Sequence, residues 1–149
     1  MKKFKFRYES VLKMRMDQED RIKNELAQVI TIRQNKIDAL EKLIQSAQLY
    51  DYHVQTVLES GDSSNERAGF SQNKRYYRDK KSALRDEIEK LDQKIKQIQL
   101  KLVDAMKERK VMEKLKENAF KEFVEAINEA DEKLIEEVVN YSNNKRNGE

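Results

Sequence analysis

The chain has 149 residues, 40% of them charged, with 31 Lys and Arg against 28 Asp and Glu, no Pro, Cys or Trp, three Gly, and a mean hydropathy of -0.99. Without Cys there are no disulfides, thiolate nucleophiles or zinc ribbons, and no apolar run approaches the roughly 18–20 residues that span a bilayer. Long helices suit this composition better than a layered domain, and a soluble, cytoplasmic protein forming one elongated domain is expected, with no signal-peptide apolar region behind the Lys-rich start.

The first stretch, Phe4, Phe6, Tyr8, Val11, Leu12 and Met14, is apolar and basic at once, because Lys2, Lys3, Lys5, Arg7, Lys13 and Arg15 lie among these residues. Phe4-x-Phe6-x-Tyr8 alternates like a short strand, and Val11-Leu12 then opens a helical pattern, so the first helix is expected over about residues 5–59. From Ile22 a 4-3 series runs through Leu26, Val29, Arg33, Lys36, Leu40, Leu43, Ala47, Tyr50, Val54 and Val57, nine of eleven apolar. The interruption at Arg33 and Lys36 is partly covered by a neighbouring stripe, Ile30, Ile37 and Ile44. Turn-formers cluster at Ser60-Gly61-Asp62-Ser63-Ser64-Asn65, and Gly69 follows. This predicts a turn over about residues 60–69, with Gly61 taking the left-handed conformation that ends a helix.

The second helix is expected over about residues 70–141, before a frayed tail at 142–149. Its best-patterned part is Leu84, Ile88, Leu91, Ile95, Ile98, Leu102 and Ala105, seven of seven apolar at strict 4-3 spacing. Such a stripe is the a/d seam of a coiled coil, too narrow for an ordinary globular core. The register continues through Arg109, Met112, Lys116, Ala119, Phe123, Ala126 and Ala130.

An a/d pattern does not choose its own partner, and two chains could pair seam to seam. The lengths favour an internal partner. About 55 and 70 residues give helices of roughly 80 and 105 Å. Folding near residue 65 pairs position i with roughly 130 − i, which sets Ile22 near Glu108, Val54 near Tyr76, and the basic N-terminus against the acidic run 125–137. The fold class expected is all-α: an antiparallel coiled-coil hairpin with the second helix longer.

Nothing in the sequence points to an enzyme, a metal or a cofactor. His53, the single histidine, has only Asp51 beside it as a further ligand, and reads as a seam-edge residue. Phosphate-cradling and nucleophile-elbow motifs are absent. Lys74–Lys81 mixes five cations with two Tyr, but acidic residues nearly balance basic ones overall, which argues against nucleic acid as a partner. Function therefore rests on surfaces. The candidates are the N-terminal aromatic-basic group, which either caps the hairpin or docks into another protein; the aromatics near the turn, Tyr50, Tyr52, Phe70, Tyr76 and Tyr77; and the polar seam positions Arg109 and Lys116. Tyr50 and Tyr77 fall on the seams, and Tyr52 and Tyr76 do not.

Phe4-x-Phe6-x-Tyr8-Glu9-x-Val11-Leu12-x-x-Arg15, followed by Glu19 and Leu26-Ala27, and Arg109-Lys110-x-x-Glu113-Lys114-Leu115 with Asp131-Glu132 further on, resemble the FliJ family of the bacterial flagellar export apparatus. The resemblance implies a non-enzymatic stalk, like that of rotary ATPases, whose chain ends enter the ring of the export ATPase FliI and promote its assembly and activity. It further implies contacts with the export gate protein FlhA and with export chaperones, at the inner face of the membrane at the flagellar base. Carried over, Phe4, Phe6, Leu12, Arg15, Arg109 and Lys110 face the ATPase, and Leu43, Tyr50, Tyr76 and Tyr77 face the gate. The strongly charged second helix and the Lys74–Lys81 cluster depart from some members. The rival readings are the equivalent stalk of a non-flagellar type III secretion system and a generic coiled-coil scaffold.

Overall fold

A computed structural model describes residues 2–61 and 67–148 of the chain. It contains two helices, α1 (Glu9–Ser60) and α2 (Arg67–Asn147), packed against each other as an antiparallel hairpin with the second helix longer. The all-α fold class read from the heptads is the one observed. By its contacts the chain falls into two compact units, one of residues 1–20 with 104–149, the other of residues 21–103.

The helix ends differ from those expected, each for a local reason. Residues 2–6 are not helical, and α1 starts at Glu9, where the Glu9 amide donates to the Phe6 carbonyl at 3.2 Å and the Leu12 amide to the Tyr8 carbonyl at 3.0 Å. A carboxylate in that first turn suits the positive end of the helix dipole. At the other end, Ser60 Oγ donates to the Val57 carbonyl at 2.7 Å, and Gly61 takes a φ of +73°, the left-handed conformation expected of it. Asp62, Ser63, Ser64 and Asn65 lie outside the described residues. Gly69, expected within the turn, is inside α2. The segment expected to fray is helical as far as Asn147, since it holds no Pro and ends on Lys145 and Arg146, which suit the negative end of the dipole.

In the unit of residues 21–103 all eleven positions of the α1 seam from Ile22 to Val57 are buried or half-buried, and so are Leu84, Ile88, Leu91, Ile95, Ile98 and Leu102 opposite them. Ile98, 2% exposed, is the most deeply buried large side chain. The stripe expected to cover the break at Arg33 and Lys36 does so incompletely, because Ile30 is 48% exposed. The break is closed by charge instead: Arg33 pairs with Asp92, and Lys36 Nζ lies 3.1 Å from Glu87. These pairs fix the register. Arg33, expected near residue 97, meets Asp92, so the helices pair about five residues away from the expected register.

The two glycines near the turn have opposite conformational needs, and substitution separates them. Gly61→Ala has free space for its methyl but must hold a positive φ, so it lowers unfolding stability by about 1 kcal/mol. Gly69→Ala meets only the flexible Asn73 amide at 3.9 Å within a helix and raises stability by about 0.5 kcal/mol. Urea denaturation followed by far-ultraviolet circular dichroism measures both, and equal effects at the two sites would contradict the assigned turn.

Candidate interaction surfaces

The unit of residues 1–20 with 104–149 is built around one aromatic contact. The non-helical N-terminal strip lays Phe4 onto α2, its ring centroid 5.3 Å from that of Phe120 and 5.5 Å from that of Phe123. Phe6 meets Tyr8 edge-on at 5.9 Å. Behind them, Leu12 is buried in the seam together with Ala105.

Each polar seam position of this unit is matched by an opposite charge. Glu19, its side chain 5% exposed, pairs with Arg109, whose other guanidinium nitrogen lies 2.8 Å from Glu113. The Glu113 hydrogen bond, followed by that to Glu19, holds the Arg109 pKa above its ordinary value. Lys116 Nζ lies 2.9 Å from Glu9, and Arg15 Nη1 lies 2.8 Å from Glu108. On the outer surface, the hydrogen bond from Lys121, helped by the charge of Lys114, holds the Glu117 carboxyl below its usual range.

Phe4, Phe6, Leu12, Arg15, Arg109 and Lys110 are thus brought into one unit, with different degrees of access. Leu12 is buried, Arg109 and Arg15 are engaged in ion pairs, and Lys110 is exposed and unpaired. A groove of about 750 Å³ runs between the N-terminal strip and α2, lined by Lys2, Lys3, Lys5 and Arg7 on one side and by Leu115, Glu122 and Phe123 on the other. The basic N-terminus does not meet the run 125–137 as expected. Among the described residues no acid of that run makes an ion pair, because the register sets the strip against Phe120 and Phe123, one to two turns earlier.

In the unit of residues 21–103, Tyr50 is the hub of a second aromatic group. Its ring centroid lies 5.5 Å from Tyr77, 6.3 Å from Phe70 and 6.4 Å from His53, and its hydroxyl accepts a hydrogen bond from Asn73 at 3.0 Å. His53 is therefore a ring neighbour at the seam edge, and no metal-binding cluster occurs among the described residues. Leu43 and Tyr77 are half-buried along the seam, while Tyr76 is 55% exposed and touches Tyr77 edge-on. Tyr52 also faces outward, so the division of the tyrosines read from the heptads matches their burial.

The comparisons with known proteins bear on this arrangement. A family model described as Flagellar FliJ protein matches residues 4–148. The chain belongs to the FliJ family. It is accordingly a component of the flagellar export apparatus. Comparison with curated proteins and with solved structures gave no match. No helix among the described residues is long and apolar enough to cross a membrane.

Sequence reasoning missed three features of this FliJ-family chain. The burial of Glu19 was not deduced, although its place a heptad after Leu12, with Arg109 in the opposite seam, was a usable signal. The ring contacts of Phe4 with Phe120 and Phe123 were hidden by the misplaced fold point. The exposed apolar face beyond Phe123 lies off the heptad register that leads from Phe123 to Ala126 and Ala130, both of which are exposed.

The pairing of charged seam layers is tested by exchange. Arg33→Asp alone sets two carboxylates together and lowers the denaturation midpoint, and adding Asp92→Arg recovers most of the loss. Since both side chains are about a third exposed, the coupling is of the order of 0.5 kcal/mol. A double variant no more stable than the single one would rule out the register.

Proposed function

We propose that this chain is a non-enzymatic stalk or adaptor that binds the export ATPase ring, promotes its assembly and activity, and links it to the export gate. The observation that carries the reading is the co-location of Phe4, Phe6, Leu12, Arg15, Arg109 and Lys110 in one unit that ends in a groove with a basic wall. Leu12 and Arg109 shape that end by packing and pairing, and Phe6 with the cations of the strip and Lys110 makes the contact. Aromatic anchors surrounded by Arg and Lys suit a partner wall that is acidic and partly apolar. Leu43, Tyr50, Tyr76 and Tyr77 lie together in the other unit and form the gate-facing site, in which Tyr50 and Tyr77 set the shape and Tyr76 offers the exposed ring. Export chaperones are a further class of partner, and the working position is cytoplasmic, against the inner face of the membrane at the flagellar base.

The intact protein at saturating concentration raises the hydrolysis rate of the cognate export ATPase severalfold. Lys110→Glu, a change at an exposed residue outside the seam, removes most of that stimulation while leaving helicity unchanged, and Phe6→Ala acts in the same direction. No stimulation by the intact chain would sink the stalk reading, and full stimulation by both variants would move the site elsewhere. In pull-downs with the cytoplasmic part of the gate protein, Tyr76→Ala weakens capture several-fold without altering thermal unfolding. Undiminished capture would remove Tyr76 from the gate site.

A further inference from the structure

Continued backwards from Leu84, the 4-3 register of α2 runs through Lys81, Tyr77, Lys74 and Phe70. Phe70 and Tyr77 are half-buried, and their rings lie 6.3 and 5.5 Å from that of Tyr50, so the register holds here and Lys74 and Lys81 stand at core positions. Elsewhere in the seam a cation is answered from the facing helix, as Arg33, Lys36, Arg109 and Lys116 are by their carboxylates. Lys74 and Lys81 are the exceptions. Among the described residues neither makes an ion pair or a hydrogen bond, and Lys81 is half-buried all the same.

Charge is one-sided around them. Residues 67–85 hold seven cations and a single acid, Asp79, while residues 44–60 of α1 offer only Asp51 and Glu59. A notch of about 260 Å³ opens beside the seam, lined by Ala47 and Asp51 of α1 and by Lys74, Tyr77, Arg78 and Lys81 of α2. Asp51 reaches its wall, but no ion pair joins it to these cations, and Arg78 pairs only with its chain neighbour Asp79 at 3.6 Å. Arg78 and Arg85 directly follow the seam residues Tyr77 and Leu84, so Lys74, Arg78, Lys81 and Arg85 make one ridge, roughly 16 Å long at 1.5 Å per residue.

We propose that this ridge is a docking site for an extended acidic segment of a partner protein, whose carboxylates supply what α1 lacks at Lys74 and Lys81. An extended backbone turns alternate side chains to one face about 6.6 Å apart, close to the steps of about 4.5 and 6 Å along the ridge, so a Glu or Asp at every second position meets it. A flat membrane surface does not reach the half-buried Lys81 beside the seam. Nucleic acid lacks a stacking platform on this face: Tyr77 is packed against Tyr50, and the exposed Tyr76, two residues from both Lys74 and Arg78, lies on the opposite side of α2. Because Tyr76 is not part of it, the site stands whether or not the gate assignment does.

Two synthetic peptides provide the test, one alternating Glu with Ser and the other Gln with Ser. In fluorescence anisotropy with the full chain at low salt, the Glu peptide binds at least about tenfold more tightly than the Gln peptide. Lys74→Glu with Arg78→Glu removes that binding, whereas Lys94→Glu with Lys96→Glu, the same change of net charge at other exposed lysines, alters it by less than about twofold. Lys74→Leu with Lys81→Leu also removes binding and raises Tm by a few degrees, because an unanswered cation at a core position costs stability. Tyr76→Ala leaves peptide binding unchanged, so this site and the gate site fail separately. Equal binding of the two peptides, binding that survives Lys74→Glu with Arg78→Glu, or a lowered Tm in the leucine variant would each overturn the proposal. So would tighter binding of single-stranded DNA or of phosphatidylserine vesicles that is lost in the same glutamate variant.

Discussion

The structure depends on a seam one residue wide. With 40% of its residues charged, the chain cannot assemble a broad core, so each helix buries a single a/d stripe against the other, and charges at core positions must be answered across it. Removing Arg109 would leave the buried Glu19 without compensation, which costs far more than the intact pair contributes. A slip along the helices would do this there and would separate the three more exposed pairs at the same time. Arg33 with Asp92, Lys36 with Glu87, Arg109 with Glu19 and Lys116 with Glu9 therefore act chiefly to select the register, while aliphatic residues such as Ile98 and Leu12 supply the burial.

Where the seam is most regular, the molecule presents little to a partner. Leu84, Ile88, Leu91, Ile95 and Ile98 are turned inward and surrounded by Lys, Asp, Glu and Gln. The surfaces able to recognise something else are the irregular ones: the non-helical aromatic strip at Phe4–Tyr8, the tyrosines around Tyr50, and the stripe beyond Phe123. In each of the first two, a half-buried ring meets one that faces outward, Phe6 edge-on to Tyr8 and Tyr77 edge-on to Tyr76. The packed ring fixes the backbone that presents the free one.

Heptad spacing made the fold legible, because a 3.5-residue period sustained over many turns has few structural meanings. The seam matches burial from Ile22 to Val57 and from Leu84 to Phe123, down to which tyrosines are inward, and fails beyond Phe123, where Ala126 and Ala130 are exposed. The fold point was read less well. Gly69 looked like part of the turn because glycine favours turns, yet it lies in the first turn of α2, where its φ is not positive. That error displaced the pairing by several residues, and with it the partners of the N-terminal strip. Composition likewise suggested a frayed end from Ser142, whereas an uninterrupted helix with cations in its last turn continues to Asn147. The interaction roles proposed for Phe6, Lys110 and Tyr76 rest on family resemblance, because heptad spacing marks which residues turn inward and not what the outward ones meet.

The same constraint determines where the hairpin stops satisfying itself. A helical seam needs a helix opposite, and α1 supplies one only from Glu9 onward. The preceding strip leaves the helical path to place Phe4 against Phe120 and Phe123. Past that contact no ring or ion-pair contact from the N-terminal strip reaches α2, although the helix goes on for some six turns with apolar residues still at 4-3 spacing. Propensity alone could have kept such a segment helical with a fully polar surface, as it does for solvated helices laced with i, i+4 pairs. Retaining Val124, Ile127, Leu134, Val138 and Tyr141 on one side adds nothing to the hairpin and carries a solubility cost.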